Sequence, residues 1–307
     1  MQQKIEGLEQ TFYSHGKLLL TGEYLVLDGA TALAIPTKKG QSLHIAENDE
    51  PVLQWNSKDE QGNTWFHAKF NQHLKTMETS NAEMAKTLVT ILQEAKRLNS
   101  NFLTLEKGCL ITTTLEFPRN WGLGSSSTLI NNIAQWAQVD AYTLLENSFG
   151  GSGYDVAAAQ AQGPIFYTKQ KTTPRIKQVA LSWDFQEALF FVYLNKKQDS
   201  KLGIAHYKAQ IVSDQELQRV TDITKKLLLC YSLQDFERLM EHHEQLISNI
   251  LQLPTVKERL FSDYTGVVKS LGAWGGDFVL ATGGERQQNY FRNKGYQTIV
   301  PFTEMMA

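Results

Sequence analysis

A short run of glycines and serines, placed directly before a helical pattern, constrains this chain more than any other feature. The run is Gly122-Leu123-Gly124-Ser125-Ser126-Ser127, and a helical pattern of apolar residues follows it to residue 139. Glycine permits positive φ angles and lets backbone N–H groups approach a ligand closely. The first turn of a helix offers unpaired N–H donors and the positive end of the helix dipole. The run therefore predicts a phosphate-binding loop, although a serine-rich helix cap without a ligand fits the same residues.

Spacing excludes two common phosphate-binding loops. A Walker A loop ends in Gly-Lys-Ser/Thr, and no lysine lies in this run. A dinucleotide-binding fingerprint would need a third glycine where Ser127 stands, and an acidic residue on a following strand. If the loop binds phosphate, it belongs to another class of protein.

The composition is that of an ordinary globular protein of 307 residues, with 42% hydrophobic and 20% charged residues. Because the chain has nearly equal numbers of basic and acidic residues, 30 and 32, there is no electrostatic reason to expect nucleic acid as a partner. The longest apolar run, residues 189–194, is too short to span a bilayer, and residues 1–6 lack the apolar stretch of a signal peptide. Cys109 and Cys230 have no metal-ligand spacing around them. We therefore expect a cytoplasmic protein without a membrane or nucleic-acid partner.

Strands and helices are predicted in both halves of the chain, which indicates an α+β architecture in two lobes. Ser80 with Glu83, and Ser213 with Glu216, have the spacing of capping boxes at helix starts. Strands are expected within the first 45 residues and over 103–115, 189–194 and 271–281, and helices over 80–99, 128–139, 213–231 and 232–251.

Three local predictions complete this outline. The polar residues 168–177 suggest a boundary near Pro174, so the lobes are expected over 1–173 and 174–307. Residues 25–27 are expected to resume the first strand after a glycine break. The pair His242 and His243 is expected on an exposed helix, where adjacent side chains do not share a face and do not form a metal site.

Two further glycine-bearing segments fit a phosphoryl-transfer site. Asp155 follows Gly153 and Tyr154, and a carboxylate at such a turn could accept the proton of a hydroxyl that attacks ATP. The same carboxylate could instead cap the following helix. Glycines within residues 271–278 would let this backbone approach a ligand or the first loop, or would simply form a tight turn.

The three glycine segments, in this order and at these spacings, resemble the GHMP kinases, which include galactokinase, homoserine kinase, mevalonate kinase and phosphomevalonate kinase. The first family motif is matched by residues 16–30, the second by residues 118–126, and the third more loosely by residues 272–277. The resemblance implies the two-lobed GHMP kinase fold, with a ribosomal-protein-S5-domain-2-like N-terminal lobe and a ferredoxin-like C-terminal lobe. It also implies ATP and Mg²⁺ as cofactors.

Within the superfamily, the details resemble phosphomevalonate kinases. These details are Gly-Glu-Tyr at residues 22–24, Gly-Ser-Gly-x-Asp-Val-Ala at 151–157 and Gly-Gly-Asp at 275–277. Residues 153–157 also resemble a GHMP subgroup named for Gly-Tyr-Asp-Ile-Ala. The function that the resemblance implies is ATP-dependent phosphorylation of phosphomevalonate in isoprenoid precursor synthesis. Mevalonate or sugar kinase activity, a mevalonate-diphosphate decarboxylase and a non-catalytic GHMP-fold binding protein stay open as alternatives.

The resemblance assigns roles to individual residues. Lys17 would orient Asp155 or stabilise charge on the transferring phosphoryl group, and Asp155 would be the catalytic base. Ser126 would be one Mg²⁺ ligand, and Glu146 is the candidate for the second, although its spacing from Asp155 is a little short. The residues that would hold the ATP phosphates are Gly122, Leu123, Gly124, Ser125, Ser126 and Ser127.

The small-molecule phosphoryl acceptor is expected to meet polar residues outside these motifs. A charged segment containing Lys197 and Ser200 resembles the substrate loop of phosphomevalonate kinases, although a solvated turn also fits it. Ser14 and His15 precede the first motif and are further candidates, with a surface or capping role as the other explanation of His15. Trp274 stands where the family has a smaller residue, and we expect it to wall the substrate pocket. A homodimer is kept open as the assembly.

Overall fold

A computed structural model of the chain describes residues 9–104, 108–198 and 200–307. The strands of the described residues are β1 Gln10–Thr21, β2 Ala32–Asn48, β3 Leu53–Lys58, β4 Thr64–Phe70, β5 Thr76–Thr79, β6 Gly108–Leu115, β7 Ile165–Thr168, β8 Arg175–Gln178, β9 Leu189–Tyr193, β10 Val268–Ser270, β11 Phe278–Thr282 and β12 Ile299–Pro301. Their helices are α1 Ala82–Leu98, α2 Ser125–Ala137, α3 Ala141–Ser148, α4 Tyr154–Gln160, α5 Ser200–Lys208, α6 Asp214–Lys226, α7 Leu233–Leu251, α8 Val256–Leu260, α9 Glu285–Asn293 and α10 Phe302–Met305. This mixture of elements confirms the predicted α+β class.

The chain forms two compact units that interleave along the sequence. The first unit contains the described residues of Met1–Gly16, Lys39–Arg119 and Gly124–Gln160. The second unit contains those of Lys17–Lys38, Asn120–Leu123 and Ala161–Ala307. The division into lobes at residues 1–173 and 174–307 stays a prediction.

The first unit is a sheet covered by helices. Its strands follow the order β5-β4-β3-β6-β2, in which β3 and β6 are parallel and the other neighbours are antiparallel. Alternate residues of the strands, such as Ile45, Trp55 and Ile111, are buried in one cluster with apolar residues of α1 and α2. In α2 these include Ile130 and Ile133, so the helix that follows the glycine-serine run is anchored by its apolar face.

The second unit contains an antiparallel sheet in the order β10-β11-β9-β12. Every residue of β9 is buried, as expected for a strand covered on both faces. In the same unit the start of β2 pairs with β7, and β7 pairs with β8. A hydrophobic cluster joins α6 and α7 to Tyr24, Leu25 and Trp274.

The main helices were predicted well, because each has a long apolar face. Those expected over 80–99, 128–139, 213–231 and 232–251 correspond to α1, α2, α6 and α7, and the strand expected over 189–194 corresponds to β9. The capping box of Ser213 and Glu216 is confirmed. The cap predicted for Ser80 is wrong by one residue, since the Asn81 side chain accepts the hydrogen bond from the Met84 N–H.

Predicted strands are less accurate. Residues 25–28 form a 3-10 helix rather than a strand, because Tyr24 and Gly29 take φ angles of 62° and 94° and close the backbone into a local turn. The strand expected over 103–115 begins at Gly108, and residues 105–107 lie outside the described part of the chain. The strand expected over 271–281 begins only at Phe278, after a glycine-bearing turn. Residues 175–178, expected near a boundary, form β8 and pair with β7.

Burial tests the remaining local predictions. Cys109 and Cys230 are buried free thiols. No helix among the described residues has both the length and the apolar character needed to cross a membrane. The prediction about a signal peptide concerns residues 1–6, which lie outside the described residues.

Candidate active site

The glycine-serine run forms a loop that opens α2 without a side-chain cap. Gly122 and Gly124 have φ angles of 68° and 86°, in the region that favours glycine. Gly124 is the N-cap, and no side chain makes a capping hydrogen bond there. The N–H donors of the first turn are therefore left to other partners, and an anion at this end would also meet the positive end of the helix dipole.

The serines of this run have different environments. Ser127 is buried, and its hydroxyl donates to the Gly124 carbonyl oxygen at 2.8 Å. Ser125 is half-buried and Ser126 is exposed, and neither hydroxyl bonds to another residue in the described part of the chain. The side chain of Ser127 therefore shapes the loop, whereas the hydroxyls of Ser125 and Ser126 have the freedom that a phosphate contact requires. Phosphate binding by this loop stays a prediction.

Lys17, near the middle of β1, is tied to the same loop within the second unit. Its Nζ donates to the Gly122 carbonyl oxygen at 3.0 Å, and its backbone N–H donates to the Leu123 carbonyl oxygen at 2.9 Å. Lys17 is 9% exposed, so its charge is little screened by water. The geometry places an ammonium group against the glycine half of the loop.

The third glycine segment approaches this loop, as one of the two sequence interpretations proposed. A Cβ atom added to Gly122 would lie 2.5 Å from both Cγ and Oδ2 of Asp277. The Asp277 carboxylate accepts a hydrogen bond from the Gln198 N–H at 3.2 Å. Burial raises the pKa of Asp277, and the hydrogen bond and the charges of Lys17 and Lys197 partly oppose that shift. No role was predicted for Asp277, although the motif that contains it was identified.

The predicted acceptor residue Lys197 lies on a segment held against the third glycine segment. The Asp277 N–H donates to the Lys196 carbonyl oxygen at 2.7 Å. A Cβ atom on Gly276 would lie 2.8 Å from that oxygen, so glycine is needed for the close approach. Lys197 is exposed, and Ser200 is the exposed first residue of α5. Their roles as acceptor contacts stay predictions.

The predicted acceptor residues in the first unit differ in burial. Ser14 is fully buried, and its hydroxyl donates to Asn132 Oδ1 at 2.7 Å and accepts from Asn131 Nδ2 at 2.8 Å. These bonds hold β1 to α2, so the geometry supports a structural role for Ser14. His15 is half-buried, with its ring edge-on to Tyr13.

The predicted base and metal ligands also lie in the first unit. Asp155 is a half-buried residue in the first turn of α4, Glu146 is exposed on α3, and Ser126 is exposed at the start of α2. Among the described residues no three His, Cys, Asp or Glu side chains stand close enough to hold a metal. One hydroxyl and one carboxylate are oxygen donors of the kind that Mg²⁺ accepts together with phosphate oxygens and water, so the donor set fits this ion.

The sequence does not predict a group of buried charges in the second unit. Lys269 on β10 is fully buried, and its Nζ donates to Glu23 Oε1 at 2.5 Å and lies 3.2 Å from Glu244 Oε1. The same ammonium group donates to the Ser270 carbonyl oxygen. The Ser270 hydroxyl donates to Glu244 Oε2 at 2.7 Å. Two carboxyl groups thus surround one ammonium group away from water, an arrangement that is costly unless charges and hydrogen bonds are matched.

His243 on α7 adjoins this charge cluster of Glu23, Glu244 and Lys269. Its Nε2 accepts a hydrogen bond from the Gly22 N–H at 3.0 Å and lies 3.4 Å from Glu23 Oε2. Burial, with the charge of Lys269 as a second cause, holds the pKa of His243 well below its usual value, so the ring is neutral. Burial raises the pKa of Glu23 to about 7 and also raises that of Glu244, while Lys269 opposes both shifts. These directions favour a proton on one carboxyl group, which balances the charge of the cluster.

A signal for His243 was present in the sequence. Phe236, Met240, His243, Ile247 and Ile250 are all buried, and their alternating spacing of four and three residues places them on one face of α7. The expectation of an exposed helix face therefore holds for His242 and is wrong for His243. The pairing of Lys269 with Glu23 has no such signal, because the two residues are 246 positions apart.

Trp274 is a core residue. It is 5% exposed, and its ring lies in the cluster that contains Tyr24, Leu25 and Tyr207. Its role as a wall of the substrate pocket stays a prediction. Its φ of 54° lies in the left-handed region, and among the described residues its Nε1 has no hydrogen-bond partner.

Comparison with known proteins places this architecture among solved structures. No family model matches the sequence, and no curated protein sequence matches it. The mevalonate kinase of Methanococcus jannaschii aligns with a TM-score of 0.72 at 18% identity, covering 96% of this chain and 98% of its own. The Streptococcus pneumoniae phosphomevalonate kinase, solved with phosphomevalonate and AMPPNP, gives 0.68 at 17% identity, covering 94% and 99%. The galactokinase of Lactococcus lactis, solved with galactose, gives 0.64 at 12% identity, covering 93% and 88%.

These similarities run through nearly the whole of each chain, whereas the sequences have diverged widely. They confirm the expected resemblance at the level of the fold. The chain has the fold of the GHMP kinases.

Proposed function

We propose that this protein is an ATP-dependent kinase that phosphorylates a small molecule. The observation that carries the proposal is the attachment of Lys17 to the loop that opens α2. An ammonium group bonded to the glycine half of a loop that leads into an uncapped helix is suited to a triphosphate, because phosphoryl transfer depends on positioning and on stabilisation of negative charge. Binding of AMPPNP by the similar phosphomevalonate kinase supports a nucleotide as the phosphoryl donor.

In the proposed reaction an acceptor oxygen attacks the γ-phosphorus of ATP, the bond from that phosphorus to the β,γ-bridging oxygen breaks, and ADP leaves. Backbone N–H groups of the first turn of α2 and the hydroxyls of Ser125 and Ser126 hold the phosphates. Lys17 stabilises negative charge, and Asp155 takes the proton when the acceptor is a hydroxyl. Mg²⁺, held by Ser126 and Glu146, would neutralise part of the phosphate charge.

The proposed acceptor is phosphomevalonate, with mevalonate or a sugar as the second candidate. Lys197 supports an anionic acceptor, since it is exposed on the segment that is bonded to Asp277. A phosphorylated acceptor requires such a cation or N–H donors. The similar structures include kinases solved with phosphomevalonate and with galactose, so both chemical classes belong in the test.

The decisive experiment measures ATP consumption by the purified chain with Mg²⁺ and a panel of phosphomevalonate, mevalonate, mevalonate diphosphate and sugars. We expect ADP release that depends on one acceptor, together with a phosphorylated product. Release of carbon dioxide from mevalonate diphosphate would instead identify a decarboxylase. Absence of turnover with every acceptor, combined with nucleotide binding, would support a non-catalytic binding protein.

Two substitutions test the roles of Lys17 and Asp155. Asp155→Asn keeps the shape of the side chain and should lower kcat by about 10²–10⁴-fold while AMPPNP still binds. Lys17→Met should lower kcat by about 10²-fold or more, because it removes a charge that stabilises the transition state. Lys86→Met, on the exposed face of α1, is the matched control and should leave kcat unchanged. Near-normal turnover of Asp155→Asn would remove Asp155 from the role of base.

A further inference from the structure

A concentration of positive charge lies outside the candidate active site. Residues 156–183 contain no aspartate or glutamate, although the whole chain has a net charge of −2. The basic residues of this stretch are Lys169, Lys171, Arg175 and Lys177. All of them lie at the end of β7, in the following turn or on β8, so the structure gathers their charge in one hairpin.

Two of these cations and one from α6 line a groove of about 330 Å³ in the second unit. The described residues that line this groove include no acidic side chain. Residues that form it include Thr31, Phe166, Thr168, Arg175, Lys177 and Lys225. We call this the β7–β8 groove, and none of these residues belongs to the candidate active site.

The register of the strands explains why these side chains meet. Phe166 is opposite Lys177 and Thr168 is opposite Arg175, so the four share one face of the β7–β8 pair. Ala32 is opposite Tyr167, which brings the preceding residue, Thr31, next to Thr168. The hydroxyl oxygens of Thr31 and Thr168 are 2.9 Å apart, and together they form the polar floor of the groove.

Helix α6 completes the groove. The Thr31 N–H donates to Thr221 Oγ1 at 3.0 Å, which fixes this helix beside the start of β2. Lys225 follows Thr221 by four residues and therefore projects from the same face of α6. Asp222 is the acidic residue nearest to Lys225 in the helix, but it is exposed, accepts a hydrogen bond from Gln218 and does not line the groove.

In the part of the chain that the structure describes, no acidic side chain pairs with the cations of the groove. Within the described residues, Arg175, Lys177 and Lys225 form no ion pair. Cations held on one face, close to hydroxyl donors, attract an anion more strongly than the same charges spread over a surface. Arginine also offers paired N–H donors that match two oxygens of a phosphate group.

We propose that the β7–β8 groove binds a compact polyanion, a small molecule that carries more than one phosphate group. The cavity volume is at the lower end of the range for small-ligand sites, which favours a compact molecule. Phe166 is half-buried and gives the floor one apolar surface beside the hydroxyls. This site is separate from the loop proposed to hold ATP, and it does not require the protein to be a kinase.

Isothermal titration of the full chain with inorganic pyrophosphate tests the site. K177Q/K225Q removes two charges that line the groove. K169Q/K171Q removes two charges from the same hairpin that do not line it, so the net charge of the two variants is equal. Hydrogen bonds to charged groups are stronger than those between neutral groups. We therefore expect K177Q/K225Q to weaken pyrophosphate binding by at least tenfold, and K169Q/K171Q to weaken it by less than about threefold.

The two double variants distinguish binding in the β7–β8 groove from binding elsewhere on the chain. Pyrophosphate bound at the glycine-serine loop is common to both variants, so only the difference between them counts. No binding to the wild-type chain at millimolar pyrophosphate, an equal loss in both variants or no loss in K177Q/K225Q would each overturn the proposal. At the glycine-serine loop, AMPPNP is expected to bind with the same affinity in all three proteins, because neither double variant changes that loop. Failure of AMPPNP to bind the wild-type chain would contradict the kinase proposal and leave the pyrophosphate comparison intact.

Discussion

Gly122 meets two requirements that no residue with a side chain can meet together. Its φ is 68°, and an added Cβ atom would lie 2.5 Å from the Asp277 carboxyl group. Gly150 has nearly the same φ, 69°, but nothing lies within 4 Å of its added Cβ atom. Substitution at Gly150 therefore measures backbone strain alone, whereas substitution at Gly122 measures strain together with a steric clash.

Gly122→Ala should lower the free energy of unfolding by about 2–4 kcal/mol, from backbone strain of about 1 kcal/mol and a clash of about 1–3 kcal/mol. Gly150→Ala should lower it by only about 1 kcal/mol. Urea denaturation of the two variants and the wild-type chain measures the difference. Equal losses in the two variants would show that Asp277 does not press against Gly122.

Because of Glu23, the free energy of unfolding should fall as the pH rises. Burial raises its pKa from 4.5 to about 7, so the folded protein binds a proton that the unfolded chain releases. The resulting stabilisation is fully present below pH 4.5 and is lost as the pH rises through about 7. The whole change is on the order of 3 kcal/mol.

Glu23→Gln should flatten this dependence, because an amide does not titrate in this range. Urea denaturation at intervals from pH 5 to about 8 measures how the free energy of unfolding changes with pH. The control is Glu60→Gln, which removes an exposed carboxylate and should keep the wild-type slope. An unchanged slope in Glu23→Gln would mean that Glu23 is ionised throughout this range, paired with Lys269.

At the scale of elements, α1 shows how a helix start is decided. Ser80 and Glu83 match the capping box, yet the Asn81 side chain accepts from the Met84 N–H and the Ser80 hydroxyl accepts from the His67 N–H. The spacing predicted only Ser80 as the cap, whereas in the structure the Ser80 hydroxyl is bonded to the backbone of β4 and Asn81 takes the cap position.

Asn81→Ala should lower the free energy of unfolding by about 1 kcal/mol and speed hydrogen exchange at the Met84 N–H. Ser80→Ala removes a hydroxyl that contacts only the exposed His67 backbone, so exchange at Met84 should stay at the wild-type rate. Hydrogen exchange followed by NMR measures both variants. Faster exchange at Met84 in Ser80→Ala alone would restore the cap that the sequence predicted.

Local patterns explain which elements were predictable. The apolar faces of α2 and α7 and the buried run of β9 are visible in the sequence, because each depends on residues a few positions apart. The contact of Gly122 with Asp277 and the pairing of Glu23 with Lys269 depend on the tertiary fold. The glycine motifs indicated where the candidate site lies, and only the structure shows which side chains support it.

At the scale of the whole molecule, the second unit draws on segments far apart in the sequence. Lys17–Lys38 and Asn120–Leu123 belong to it together with Ala161–Ala307. The predicted C-terminal lobe, residues 174–307, lacks the first two segments. It would therefore lack Glu23, which pairs with Lys269. It would also lack Tyr24 and Leu25, which belong to a hydrophobic cluster with residues of α6 and α7.

The fragment 174–307 should not unfold cooperatively on its own. Loss of Glu23 leaves Lys269 with less compensation in a buried site, which costs about 3–5 kcal/mol, and the truncated cluster loses further apolar burial. Urea denaturation followed by circular dichroism measures this. The control is the full chain with a protease site inserted between Thr172 and Thr173, in the exposed turn between β7 and β8. After cleavage at this site the protein keeps every segment, so it should stay folded. A sharp unfolding transition of the isolated fragment would show that residues 174–307 are an independent lobe, with a boundary where the sequence predicted it.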